Sequence, residues 1–154
     1  MNQQLKETIL ALQKKVAAGG KYNKVPFSAQ TKMVSGVTCQ AVMRDFPPLP
    51  VDEPPGLGGS NAGPNPLELV LAGLGTCQEI MYAIMGAVMD IELTKVEVNV
   101  RGYINLKGLL AVDETPAGFS EVKFETHLES PAPREKVLEL IQVVERCCPV
   151  MDSL

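Results

Sequence analysis

The first part of the chain has the apolar spacing of an α-helix, followed by that of strands. Four apolar residues recur three or four positions apart: Leu5, Ile9, Leu12 and Val16. With polar residues on the other faces and Gly19-Gly20 at the end, residues 1–20 are expected to form an N-terminal amphipathic helix. Residues 27–34 and 37–43 then flank the turn signal Ser35-Gly36, which predicts a β-hairpin.

A loop and a buried helix are expected in the middle of the chain. The segment from Phe46 to Pro66 is crowded with proline and glycine, and a loop of this length in a compact domain is usually functional. Asn65-Pro66-Leu67-Glu68 then supplies a capping side chain, a proline at the first helical position and a glutamate at the third. The following residues, to about Met89, are apolar on nearly every face, so they predict a helix covered by protein on most sides.

Strands and one more helix are expected in the remaining third. Alternating Val96, Val98 and Val100 predict a half-buried strand, and residues 103–112 and 119–128 suggest two more. Pro133 begins a helix that Pro149 stops. Its inward face carries Val137, Leu140, Ile141, Val144 and Cys148. Strands grouped between helices are typical of an α+β fold, in which helices cover one face of a curved antiparallel sheet.

Composition narrows the function classes. The 154 residues are 45% hydrophobic and 21% charged, which fits one domain with its own core. Fourteen Lys and Arg against 18 Asp and Glu give a net charge of -4, so nucleic acid is not expected as a partner. Gln78 and Glu79 interrupt the apolar stretch, and the N-terminus lacks a secretory pattern. A cytoplasmic protein without membrane association is expected.

The four cysteines are the residues that can carry chemistry. Cys77 lies within the expected buried helix and Cys148 at the last turn of the final helix, so they meet only if the two helices pack together. Such a pair would be a redox dithiol. From spacing alone, core packing is the commoner role of a free cysteine, and it is the interpretation for Cys39. Helical phase turns Cys147 away from the face that carries Cys148.

A metal site has little support. The chain has no CxxC or HExxH pattern, and its single histidine, His127, is expected on the solvent face of a strand. Neither a metal nor another cofactor is predicted.

Two segments of the chain have a distinctive sequence. The first is the run from Val51 to Cys77, VDEPPGLGGSNAGPNPLELVLAGLGTC, and the second is the ending VERCCPV from Val144 to Val150, where a cysteine precedes proline. Together they resemble the osmotically induced protein C and organic hydroperoxide resistance (OsmC/Ohr) family. The resemblance covers roughly Phe27 to Leu154 and implies an OsmC-like domain over residues 21–154. It also implies two core helices that carry the cysteines, and an intertwined homodimer with the reactive cysteine near the subunit interface.

The resemblance further implies a thiol-dependent peroxidase. Cys77 would attack a small organic hydroperoxide and become a sulfenic acid, Cys148 would trap it as a disulfide, and an unidentified dithiol reductant would recycle the pair. This chemistry needs a thiolate, so a cation or hydrogen-bond donor must lie close to Cys77. Family members use an arginine held by a glutamate. Glu53 matches the glutamate, and Arg44 is the candidate arginine.

This sequence departs from the family pattern in two places. The hairpin over residues 27–43 contains lysine but no arginine, and Arg44 follows it, where it either turns inward or is solvated at the strand end. Family members also continue past Cys-Pro into another strand, whereas this sequence ends at Leu154. Because the hairpin lacks the activating arginine, an alternative is an OsmC-fold protein that binds a small ligand or senses redox state with little turnover. A third hypothesis is a structural protein with inert, buried cysteines.

Overall fold

The structure, a computed structural model, describes residues 3–154. Its helices are α1 (Gln3–Ala17), α2 (Pro66–Val88), α3 (Leu106–Leu109), α4 (Arg134–Cys147) and α5 (Pro149–Ser153). Its strands are β1 (Gln30–Ser35), β2 (Thr38–Val42), β3 (Leu49–Val51), β4 (Lys95–Tyr103) and β5 (Glu121–Glu129). Residues 1 and 2 of the expected N-terminal helix lie outside the described residues.

The α+β class and the antiparallel pairing of the strands are confirmed, and the strands form two sheets. The described chain divides into two compact units. One comprises residues 3–15 together with Leu71–Leu154, and the other is Val16–Val70. The expected domain boundary at residue 20 stays a prediction.

The Val16–Val70 unit contains a three-stranded antiparallel sheet in the order β1-β2-β3. The predicted hairpin is present, with Met33 opposite Cys39 in the register of β1 and β2. Strand β3 lies within the segment that was expected to be irregular, and it pairs Val51 with Cys39. Pro50 concealed this strand from sequence reasoning, yet proline is tolerated in β3 because that strand is at an edge of the sheet.

The other unit contains the antiparallel pair β4 and β5, with Val98 opposite Thr126. The expectation of a strand over residues 103–112 is wrong: β4 ends at Tyr103 and α3 follows. The cause is local, because the side chain of Asn105 accepts a hydrogen bond from the Lys107 N–H and caps α3. Such a side-chain bond competes with strand pairing and favours a helix start.

The core of this unit forms where α2 meets α4. Tyr82, Ile91, Leu140 and Val144 are buried together, and α2 carries its buried residues on one face. Ile80, on another face of α2, is 59% exposed, so the single chain leaves that face of the helix uncovered. By length and composition α2 is apolar enough to cross a membrane. A core helix of a soluble protein passes the same test.

The end of the final helix differs in detail from the expectation. Helix α4 ends at Cys147, Cys148 is extended, and Pro149 begins α5 rather than only stopping α4. Proline suits the first position of a helix because the N–H that it lacks would have no partner there. Cys148 therefore lies at the junction of two helices.

Candidate functional site

The structure brings Cys77 and Cys148 together. Cys77 is half-buried on α2, and Cys148 is 1% exposed at the junction of α4 and α5. The side chain of Cys148 and the backbone N–H of Val150, in the first turn of α5, both contact the Cys77 thiol. One short segment thus supplies a second thiol and a hydrogen-bond donor to Cys77. Two thiols in contact can be oxidised to a disulfide.

Burial and the neighbouring thiol determine the ionisation of Cys77. Burial raises the pKa of Cys77, and Cys148 raises it further, whereas the hydrogen bond from the Val150 N–H acts in the opposite direction. The net effect is a raised pKa, so these surroundings favour the thiol over the thiolate. A nucleophilic Cys77 needs an additional positive charge or hydrogen-bond donor.

Sequence reasoning missed Gln78, which is 0% exposed. Its Nε2 donates a hydrogen bond to Sδ of Met151 at 3.4 Å, and its Oε1 has no hydrogen-bond partner among the described residues. A signal was available, because Gln78 lies four residues after Leu74 and four before Tyr82, both of which are buried on the same face of α2. Its helical phase therefore indicated a buried polar side chain, whereas Gln78 was used only as an interruption of the apolar run.

The other two cysteines have different surroundings. Cys147 is exposed, which fits a helical phase that turns it away from Cys148. Cys39 is half-buried on β2, between Met33 of β1 and Val51 of β3 in the register of the sheet. His127 is exposed, with Nε2 3.7 Å from a carboxylate oxygen of Glu125. Within residues 3–154, no group of three or more His, Cys, Asp or Glu side chains is arranged to hold a metal ion.

The Pro- and Gly-rich loop is organised by Asp52, a residue that sequence reasoning did not single out. Asp52 is 2% exposed and accepts hydrogen bonds from Ser60 N at 2.9 Å, Ser60 Oγ at 2.7 Å, Ala62 N at 3.1 Å and Thr38 Oγ1 at 3.2 Å. Hydrogen bonds from the Ala62 N–H and the Ser60 side chain hold the pKa of Asp52 well below its usual range. A buried carboxylate therefore ties this loop to β2.

Glu53 joins the loop to the start of α2. Its Oε2 accepts a 2.5 Å hydrogen bond from Asn65 Nδ2, while Asn65 Oδ1 accepts from the N–H of Leu67 at 2.7 Å. Glu68 Oε2 accepts from the backbone N–H of Asn65, which completes the expected capping box. Gly59 allows this loop to fold closely, because a Cβ there would lie 1.8 Å from the carbonyl oxygen of Glu53.

Arg44 is exposed, and its guanidinium lies 4.5 Å from the ring centroid of Phe46. Its φ of 51° is in the left-handed region. Arg44 and Glu53 belong to the same unit, and they form no ion pair with each other among the described residues. Cys77 and Cys148 belong to the other unit. A role for Arg44 or Glu53 at Cys77 stays a prediction.

Comparison with known proteins identifies the family. A model of the family described as OsmC-like protein matches residues 58–154, more than half of the chain. The chain belongs to the OsmC-like protein family. This agrees with the fold and with the segments that carry Cys77 and Cys148.

Individual relatives of this OsmC-like protein are distant. It is 32% identical over 92 residues to a protein of Mycoplasma genitalium named hydroperoxide reductase, a match that covers 60% of this chain and 62% of that relative's length. An OsmC-like protein from Mycoplasma pneumoniae has a similar fold, with a TM-score of 0.70 at 20% identity, covering 84% of this chain and 87% of that one. An organic hydroperoxide resistance protein OsmC from Legionella pneumophila gives a TM-score of 0.61 at 20% identity, covering 84% and 90%.

Proposed function

We propose that this OsmC-like protein is a thiol-dependent peroxidase that reduces small organic hydroperoxides with Cys77 and Cys148. The observation that carries the proposal is the contact between the two thiols. The hydroperoxide reductase name of the Mycoplasma genitalium relative supports the choice of substrate.

The proposed cycle begins with attack by the Cys77 thiolate on one peroxide oxygen. The O–O bond breaks, Cys77 becomes a sulfenic acid, and the remaining alkoxide takes a proton to leave as an alcohol. Cys148 then attacks the Cys77 sulfur, a disulfide forms, and the sulfenic oxygen leaves as water. A dithiol reductant returns two electrons by thiol–disulfide exchange. The reducing cytoplasm is the compartment that suits such a cycle.

Because the pKa of Cys77 is raised, forming its thiolate requires a nearby cation or hydrogen-bond donor. We propose that Arg44 and Glu53 take this role in a homodimer, with Glu53 orienting the guanidinium. The Glu53 carboxylate is already held by Asn65. Arg44 would have to leave the ring of Phe46, since a guanidinium acts on a thiolate only from close range.

The alternative is an OsmC-fold protein that senses redox state or binds a small ligand with little turnover. Two observations favour low turnover: the raised pKa of Cys77, and the position of Arg44 over the ring of Phe46. The pH dependence of alkylation distinguishes the two functions. A peroxidase should react with iodoacetamide at Cys77 near neutral pH. In a sensor with an unassisted thiol, alkylation should require a pH above the ordinary cysteine pKa of about 8.5.

The direct test is consumption of cumene hydroperoxide in the presence of dithiothreitol. The wild-type protein should turn over, and Cys77→Ser should be inactive because a serine hydroxyl is too weak a nucleophile and forms no sulfenic acid. Cys39→Ser is the matched control and should retain activity. Thiols that stay unmodified in the peroxide-treated wild type would defeat both the peroxidase proposal and the redox-sensor alternative.

Cys148→Ser separates attack from resolution. Without Cys148, the Cys77 sulfenic acid should accumulate, react with dimedone and over-oxidise to sulfinic acid under excess peroxide. Mass spectrometry should find a Cys77–Cys148 crosslink in the wild type. A crosslink from Cys77 to Cys147 instead would reassign the resolving thiol.

A further inference from the structure

Gln78 is a buried amide next to Cys77 that contacts the segment after Cys148. Its side chain is 0% exposed, its Nε2 donates to Met151 Sδ at 3.4 Å, and its Oε1 has no partner within residues 3–154. Its buried neighbours along the same face of α2 are Leu74 and Tyr82. The proposed catalytic cycle does not use this amide.

An apolar side chain would pack at this position at lower cost. A buried amide oxygen without a partner destabilises the fold, and a hydrogen bond to a thioether is too weak to compensate for this cost. Gln78 is therefore poorly explained as a packing residue. The contact it makes with α5 is the feature that a leucine or methionine would not reproduce.

Consecutive residues of α2 contact consecutive residues of α5. The Cys77 thiol receives the N–H of Val150, and Gln78 donates to Met151. Helix α5 has five residues, too few to be stable without tertiary contacts, and Asp152 is exposed. These two contacts therefore hold α5, and Cys148 immediately before it, against α2.

We propose that Gln78 is a positioning residue that fixes α5 on α2 and so keeps the Cys148 thiol aligned with Cys77 for disulfide formation. The proposal rests on the proposed function, because it assigns Cys148 the resolving role. It predicts a larger effect on resolution than on attack, because α5 gives Cys77 one hydrogen bond from Val150 but carries the whole alignment of Cys148. The attack of Cys77 on peroxide precedes disulfide closure and does not need Cys148 in place.

The test measures the two steps separately in Gln78→Met, Met151→Leu and the double variant. Methionine keeps the length of the glutamine side chain without its donor, and leucine keeps the bulk of Met151 without its sulfur. Loss of free Cys77 thiol after a peroxide pulse should slow less than disulfide formation does. Disulfide formation should slow by about tenfold, because small misalignments of reacting groups are costly. Dimedone adduct and sulfinic acid at Cys77 should increase accordingly.

A second measurement does not depend on peroxide. The equilibrium of the Cys77–Cys148 pair with reduced and oxidised glutathione gives the effective concentration of one thiol at the other. This value should fall by about tenfold in both single variants, and by no more in the double variant because both remove the same contact. The glutathione equilibrium tests the positioning role even if wild-type Cys77 does not react with peroxide.

Two control variants separate positioning from stability. Gln142→Met makes the same change at an exposed position of α4 and should alter neither measurement. Leu93→Ala should lower the thermal midpoint, because Leu93 packs against the core cluster, and leave the effective concentration unchanged. Wild-type disulfide closure and wild-type effective concentration in both Gln78→Met and Met151→Leu would overturn the proposal. An equal fall in Leu93→Ala would also overturn it, since a general loss of stability would then be the cause.

Discussion

Neighbouring carboxylates in the loop before α2 have different environments. Sequence reasoning selected Glu53 by resemblance to the family, whereas the buried carboxylate is Asp52, which accepts hydrogen bonds from the loop and from Thr38. Composition identified this loop as unusual. It did not indicate which carboxylate would be enclosed, because that depends on the hydrogen bonds that Ser60 and Ala62 donate to Asp52.

Asp52 predicts a pH dependence of stability. Its folded pKa is lowered, so its contribution to stability is present above the unfolded pKa of about 3.9 and is lost as the pH falls below it. Asp52→Asn should lower the urea midpoint near neutral pH, and the difference from wild type should narrow below about pH 4. Asp45→Asn, at an exposed position, is the control. A constant difference between Asp52→Asn and wild type across this pH range would contradict the prediction.

Replacing Glu53 is expected to change the rate of hydroperoxide reduction rather than the stability of the fold. If Glu53 orients the activating cation, Glu53→Ala should slow hydroperoxide reduction by about tenfold or more, the scale of a misplaced reacting group. Within residues 3–154 the half-buried carboxylate has one side-chain partner, Asn65, so the thermal midpoint should change little. Turnover and melting are measured on the same preparation. An unaltered turnover rate would remove Glu53 from the mechanism.

At the scale of elements, the helices and strands with periodic patterns were predicted, and those that depend on local features were not. Helices α1, α2 and α4 follow from apolar spacing and capping residues, and the hairpin of β1 and β2 follows from its turn signal. Strand β3 and helix α3 depend on an edge position and on the Asn105 cap, which no periodicity reveals. The contact between Cys77 and Cys148 joins distant parts of the sequence. The resemblance implied that contact, whereas helix phase indicated only that Cys148 faces inward.

Asn65 connects the loop to α2 with both ends of its amide. Its Oδ1 caps the helix and its Nδ2 holds Glu53. Asn65→Ala should lower the free energy of unfolding by about 1 kcal/mol through loss of the cap.

Asn65→Asp separates the two contacts, because aspartate caps equally well but repels the Glu53 carboxylate. It should therefore retain more stability than Asn65→Ala in urea unfolding, and should turn over more slowly than wild type. Equal loss of stability in both variants would contradict this prediction.

At the scale of the whole molecule, the single chain leaves large apolar side chains exposed. Phe27 is 95% exposed, Met33 73%, and Ile80 59%. Soluble monomers rarely leave extensive apolar surface uncovered, and such surface commonly marks an interface with another protein. The exposed face of α2 is consistent with the homodimer that the family resemblance implies.

Ile80 tests this proposed homodimer at the helix that carries Cys77. Because Ile80 is exposed in the single chain, Ile80→Glu should leave the monomer folded, while a charge buried at a dimer interface would be strongly unfavourable. Light scattering after size exclusion should give a dimer mass for the wild type and a monomer mass for Ile80→Glu. Peroxide turnover should fall with dimer content, because the activating cation is proposed to act within the dimer.

Thr76→Glu places the same charge at an exposed position of α2 that is already polar, so its effect on mass shows how far the interface extends along the helix. A wild type that elutes as a monomer, or an Ile80→Glu variant that remains a dimer, would remove this face of α2 from the proposed interface.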